Sequence, residues 1–140
     1  MMADNDPGSA SEIIIYEDPD APNPVQVKLE GETVWLTQRQ MAELFDTSID
    51  NVGLHLKNIY ADAELEESST TEDSLAVQTE GLRKVQRQRK HYNLDAIISV
   101  GYRVNSKRGV RFRRWANGVL KQHLIQGYTL NPQRLGERGL

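Results

Sequence analysis

The chain has no cysteine, which rules out disulfides, thiolate zinc sites and a cysteine nucleophile, and fits a reducing compartment. It also lacks a long apolar run. The longest strongly apolar stretch is Ile13, Ile14, Ile15 and Tyr16, against the roughly 18 residues that a membrane span needs. The N-terminus carries Asp4 and Asp6 with no apolar segment behind them, so nothing resembles a signal peptide. These absences lead to the expectation of a cytoplasmic protein without a membrane partner.

Chemistry-bearing residues are also sparse. The three histidines, His55, His91 and His123, lie far apart and lack metal-ligand spacing. There is no phosphate-binding loop, no dinucleotide glycine pattern and no nucleophile elbow. Glu66, Glu67, Glu72 and Asp73 sit among serines and threonines, where solvation of a loop explains them better than paired-carboxylate catalysis. Trp35 and Trp115 read most simply as core residues. The expectation is a protein that is not an enzyme, with no metal, no cofactor and no small-molecule substrate.

What the chain does have is a steep charge gradient. Residues 1–80 hold 18 acids against Lys28, Arg39 and Lys57, a net of −15; residues 81–140 hold 14 Lys and Arg against Asp95 and Glu137, a net of +12. The whole-chain charge of −3 hides this. Either the second half faces a polyanion or the two halves attract each other.

At 140 residues the chain fits one compact domain. Residues 1–12 read as a disordered arm, 13–130 as the domain and 131–140 as a tail. Residues 13–16 resemble a short buried strand, and Pro19, Pro22 and Pro24 make the next stretch a loop. Val25, Val27 and Leu29, then residues 33–36 across Glu30 and Gly31, form a hairpin. Residues 61–73 read as a solvated loop with one helical turn near 62–65. Residues 76–78 and 82–92 form a second hairpin, followed by a helix capped by Asn93 with Leu94, Ile97, Ile98 and Tyr102 inward. A last helix starts at Ser106 and stops at Gly127. The expected class is α+β: a small single domain of two β-hairpins with two helix pairs, the first a helix-turn-helix-like unit.

That first pair is LTQRQMAELFDTSIDNVGLHLKNI, residues 36–59. Thr37 with Gln40 makes a capping box, Asp46 suits a left-handed turn, and Ser48 can cap the second helix. Ile49, Val52, Leu56 and Ile59 form one stripe. If the second helix reads DNA, Asn51, His55 and Asn58 are the base-contact candidates, since an amide can bond adenine bidentately. Asp50 opposes this by repelling phosphate, and an ordinary packed helical hairpin has the same pattern.

Two basic features suggest phosphate contacts. Arg83, Lys84, Arg87, Arg89 and Lys90 place five cations on eight residues of a strand; the alternative is an edge strand charged against aggregation. On the last helix, Phe112, Trp115, Ala116, Val119 and Leu120 line one side, and Lys107, Arg111, Arg114 and Lys121 the other. That outer face suits backbone-positioning contacts; the alternatives are that it serves solubility or pairs with the acidic segment 61–73.

Three stretches resemble the virulence-associated RhuM family of bacteria: TVWLTQRQMAELF (residues 33–45), NVGLHLKNI (51–59) and YNLDAIISVGYRVNSKRGVRFRRWA (92–116). Residues 92–124 are also similar to the Bro-N and KilA-N class of phage and large-virus DNA-binding domains, centred on Phe112, Arg113, Arg114 and Trp115. The likeness spans about residues 13–135. It implies a DNA-binding fold whose partner is double-stranded DNA, and family members that continue past residue 140, so that this chain reads as truncated. The alternative is a protein-interaction module in a regulatory or toxin–antitoxin-like system, with a protein partner or a homodimer, motivated by the acidic segment and an exposed Leu54.

Overall fold

The computed structural model describes residues 11–129. Period-two alternation makes the first hairpin. Val25, Val27 and Leu29 of β2 (Val25–Glu30) and Val34 and Leu36 of β3 (Thr33–Thr37) are buried on one face, as a pleated strand requires. Gly31 takes φ +66° in the turn between them, a conformation that glycine adopts more readily than any residue with a Cβ. β1 (Ser11–Tyr16) pairs antiparallel with β2, Ile14 opposite Val27. Beyond β3 lie β5 (Arg83–Asn93) and β4 (Thr71–Glu80), giving a five-stranded antiparallel sheet in the order β1-β2-β3-β5-β4.

The helices cover the face that carries the valines. α1 (Gln38–Phe45) follows β3 directly, and the capping box forms. Gln40 N donates to Thr37 Oγ1 at 3.2 Å, and Thr37 N donates to Gln40 Oε1 at 2.8 Å. Asp46 closes the helix at φ 56°, ψ 53°. Ser48 Oγ then accepts from Asn51 N at 3.0 Å to open α2 (Ile49–Ala61). After the single turn of α3 (Glu67–Thr70) and the second hairpin, Asn93 caps α4 (Leu94–Arg103). α5 (Lys107–Thr129) completes the fold. Met41, Leu44, Val52, Ile59, Ile97 and Phe112 are among the buried side chains joining these helices to the sheet. Each large one contributes about 1.5–3 kcal/mol of burial.

Several elements depart from expectation. Residues 13–16 are a strand but only half buried: β1 is a sheet edge, Tyr16 and Ile14 pack on the core, and Ile13 and Ile15 are 59% and 50% exposed because they point away from the helices. The helical turn in the acidic segment lies at Glu67–Thr70, and strand begins at Thr71 rather than near residue 76. Pairing with β5 along its whole length overrides the weak β-propensity of that segment. Tyr102 is 86% exposed, while Ala96, Val100 and Gly101 face inward. α4 is rotated so that its small residues meet α5, where the Gly101 and Gly109 backbones pass in contact beside Phe45. α5 runs through Gly127, since one glycine costs a helix only about 1 kcal/mol. Ile49 sits at the rim of its stripe, 38% exposed. The expected arm and tail fall mainly outside the described residues.

Candidate nucleic-acid interface

β3 reaches β5 only at its end, through Trp35–Asn93, Leu36–Tyr92 and Thr37–His91. From the pair Asp73–Lys90 to the pair Glu80–Arg83, an eight-pair stretch, β4 and β5 pair as strands only with each other. At about 3.4 Å per residue this is a two-stranded ribbon about 25 Å long. Its two-residue loop is Gly81-Leu82, with Gly81 at φ +64° and Leu82 at an ordinary negative φ, the arrangement of a type II′ turn.

All five candidate strand cations lie on this ribbon and are exposed. Alternation puts Arg83, Arg87 and Arg89 on one face and Lys84 and Lys90 on the other. Two of them are engaged within the molecule. Arg87 donates to both carboxylate oxygens of Glu80, at 3.0 and 2.8 Å, and Lys90 Nζ reaches Glu67 Oε2 at 2.9 Å. Arg83 and Lys84 form no salt bridge among the described residues, and Arg89 donates only to the Gln88 carbonyl. Between ribbon and α1 lies a cleft of about 590 Å³ lined in part by Gln38, Arg39, Gln40, Lys84, Arg89 and Lys90. The α1 residues of this cleft were not among the sequence candidates. Their signal is slight, a Gln-Arg-Gln run used for capping.

At the foot of the ribbon the outer sheet face compensates itself. Lys28 meets Glu30 at 3.2 Å and hydrogen-bonds Ser74. Burial, then the neighbouring Glu30, raises the Glu72 carboxyl above the usual range. His91 is buried against this group, which holds its pKa down, and it bonds the Arg89 carbonyl through Nδ1.

The remaining candidates do not converge on the ribbon. α5 packs at the β1 side: Phe112 and Trp115 stack around Tyr16, with ring centroids 5.1 and 4.9 Å away. β1 and β4 are opposite edges of the sheet. Arg111 is committed to carboxylates, with Nε 2.9 Å from Asp18 Oδ2 and a second nitrogen 3.0 Å from Asp18 Oδ1 and 2.9 Å from Asp20. The Asp18 side chain is 1% exposed and also accepts from the Tyr16 hydroxyl. The Arg111 guanidinium, more than any other group, lowers the Asp18 pKa to about 2, and burial pushes the Tyr16 hydroxyl up to about 12. Arg111 therefore locks α5 to the β1–β2 loop. Lys107, Arg114 and Lys121 are exposed on α5 and form no salt bridge among the described residues.

On α2, Asn51 spends its amide donor on Thr47 Oγ1 at 2.9 Å, and His55 and Asn58 are half-buried. Ile49 lines the ribbon cleft, and Gly53 faces Gln38, whose Nε2 donates to the Ile49 carbonyl at 2.8 Å. At 100° per residue, Asn51, His55 and Asn58 lie roughly opposite that flank. The base-contact candidates and the basic ribbon thus present to different sides.

The arrangement is that of a small mixed α/β domain with a basic two-stranded arm. The model of the Virulence protein RhuM family matches residues 69–139, half of the chain, and the chain belongs to that family. The matched region starts in α3 and takes in the whole ribbon, α4 and α5, leaving α1 and α2 outside. No curated protein and no solved structure matches the chain. Among the described residues no helix is long and apolar enough to cross a membrane.

Proposed function

We propose that the chain is a non-enzymatic protein that binds double-stranded DNA, with the β4–β5 ribbon as its principal contact. The observation that carries this reading is the ribbon itself: two strands that run on past β3 paired only with each other, with Arg83, Lys84 and Arg89 exposed and in no salt bridge among the described residues. A two-stranded ribbon can lie in a groove of B-DNA, the minor groove included. Cations alternating on both faces reach the phosphates of both groove walls. Affinity would come from counterion release, and Lys107, Arg114 and Lys121 would serve only DNA that bends around the domain. In the finer version of this reading, α1 and α2 act as a helix-turn-helix in which Asn51, His55 and Asn58 probe a second groove, and residues 92–124 belong to a Bro-N or KilA-N type domain.

The test is fluorescence anisotropy against a random duplex at several salt concentrations, with heparin as competitor. Replacing Arg83, Lys84 and Arg89 by alanine should lower the slope of log K against log salt by about 2.7, at about 0.9 per phosphate contact. Replacing Lys107, Arg114 and Lys121 should change it less on short duplexes. An unchanged slope in the ribbon variant would remove the ribbon from the interface.

A protein-interaction role has its own support. Arg87, Lys90, Arg103 and Arg111 are already neutralised within the molecule, and Ile13, Ile15, Leu54 and Tyr102 are exposed. Absence of binding at low salt, with a dimer or hetero-complex by light scattering, would make this the leading account.

A further inference from the structure

We infer that Leu82, at the apex of the ribbon, is a wedge that inserts between base pairs and kinks the bound duplex; this rests on the DNA-binding reading above. Leu82 is 104% exposed, the most exposed of the large apolar side chains described. Nothing in the fold requires it. Gly81 alone meets the positive-φ demand of the turn, and the second position of such a turn accepts polar residues readily. A leucine kept wholly in water at the tip of a 25 Å arm (about eight residues long) gains nothing until it meets an apolar partner.

Its surroundings specify that partner's chemistry. Arg83 and Lys84 follow it directly and, as neighbours on a strand, point to opposite faces of the ribbon. They straddle the apex as two cations would straddle a groove between two phosphate chains. Glu80, across from Arg83, is held by the Arg87 guanidinium, which reduces its repulsion of phosphate. An apolar tip flanked by paired cations fits a base step opened from the minor groove, where leucine is one of the side chains able to partially unstack the bases. It would favour pyrimidine–purine steps, which unstack most easily. Sequence preference would then arise from deformability, without base-edge hydrogen bonds.

The experiment uses the full chain and three 20-base-pair probes: an end-labelled duplex with a central TA step, the same duplex with a central mismatch, and one with 2-aminopurine beside the step. The wild type should bring the labelled ends together, brighten 2-aminopurine, and bind the mismatch about tenfold tighter than the intact duplex. Leu82→Ser should keep the salt slope and bind the intact duplex within about threefold, but lose the bend, the brightening and the mismatch preference. Leu82→Phe should restore all three. Salt-dependent binding by the wild type with no bend and no mismatch preference would overturn the wedge and leave DNA binding standing. So would a Leu82→Ser variant that bends as the wild type does. No binding by the wild type at low salt would overturn the DNA reading and the wedge with it.

Discussion

Three glycines in α4 and α5 differ sharply in what a methyl group would meet, so a Gly→Ala series measures how closely the helices cross. Each substitution should gain up to about 1 kcal/mol of helix propensity. At Gly118 the new Cβ meets open space, and the gain should appear nearly whole, about 0.5–1 kcal/mol. At Gly109 the nearest atoms, of Gly101 and Phe45, are 3.5 Å away, ordinary contact, so this variant should be neutral to slightly stabilised. At Gly101 the Cβ would lie 3.0 Å from two ring carbons of Phe45. That ring is buried and cannot swing away freely. Overpacking costs about 1–3 kcal/mol, which outweighs propensity and leaves a net loss of about 1 kcal/mol. Thermal unfolding followed by circular dichroism should therefore order the proteins Gly118→Ala, Gly109→Ala, wild type, Gly101→Ala, with steps of about 3–4 °C per kcal/mol. A Gly101→Ala protein as stable as Gly118→Ala would refute the close crossing of α4 and α5, and with it the account of why Tyr102 points outward.

Thr37→Ala removes one half of the capping box and should cost about 1 kcal/mol in urea denaturation, with Thr37→Ser losing much less; equal losses would mean that burial of the Thr37 methyl matters more than the cap. Asp18→Asn should destabilise by about 1–2 kcal/mol, the worth of its depressed pKa discounted for the partly exposed Arg111. Because the folded carboxyl is held at about 2, this stabilisation is complete above its usual value near 3.8 and disappears as pH falls through about 2. The gap between the wild type and Asp18→Asn should shrink below pH 3.8 and nearly close as pH falls through about 2, and a constant gap down to pH 2 would contradict the assignment.

What could be read from the residues was local. The Thr37–Gln40 box, the left-handed Asp46, the Ser48 and Asn93 caps and the Val25–Leu36 hairpin each depend on groups a few positions apart. What could not be read depends on distant partners. β4 exists as a ten-residue strand because β5 pairs with it, Asp73 opposite Lys90 and Glu80 opposite Arg83, although its own composition suggests a loop. Arg111 had the spacing of an outward cation, but Asp18, 93 positions away in the chain, captures it. Tyr102 fits an inward stripe by periodicity alone, and only contact with α5 decides which way α4 turns. The candidate site was legible in part: the ribbon's cations were visible as a run, whereas their separation from Asn51, His55, Asn58 and the α5 cations is a property of sheet order.

The charge gradient now divides into two parts that salt should affect differently. Some opposite charges clip the body together: Arg103 to Asp62 and Glu64 at 3.3 and 2.7 Å, Arg111 to the β1–β2 loop, and Lys90 to Glu67. Apart from Asp18 and the partly covered Arg103 and Arg111 these groups are well exposed, and exposed pairs are worth about 0–1 kcal/mol each. Raising salt should therefore lower the stability of the free protein by no more than about 1–2 kcal/mol. Arg83, Lys84 and Arg89 at the end of the ribbon form no salt bridge among the described residues, so on the proposed DNA-binding reading salt should act on them mainly through the bound polyanion. Over a change from 50 to 200 mM, loss of three phosphate contacts corresponds to roughly a 40-fold fall in affinity. Melting temperature and DNA affinity measured over the same salt series should separate, the first falling a few degrees and the second by more than a decade. If the two fell in parallel, the charges would be holding the domain together, and the ribbon would have no claim to a partner.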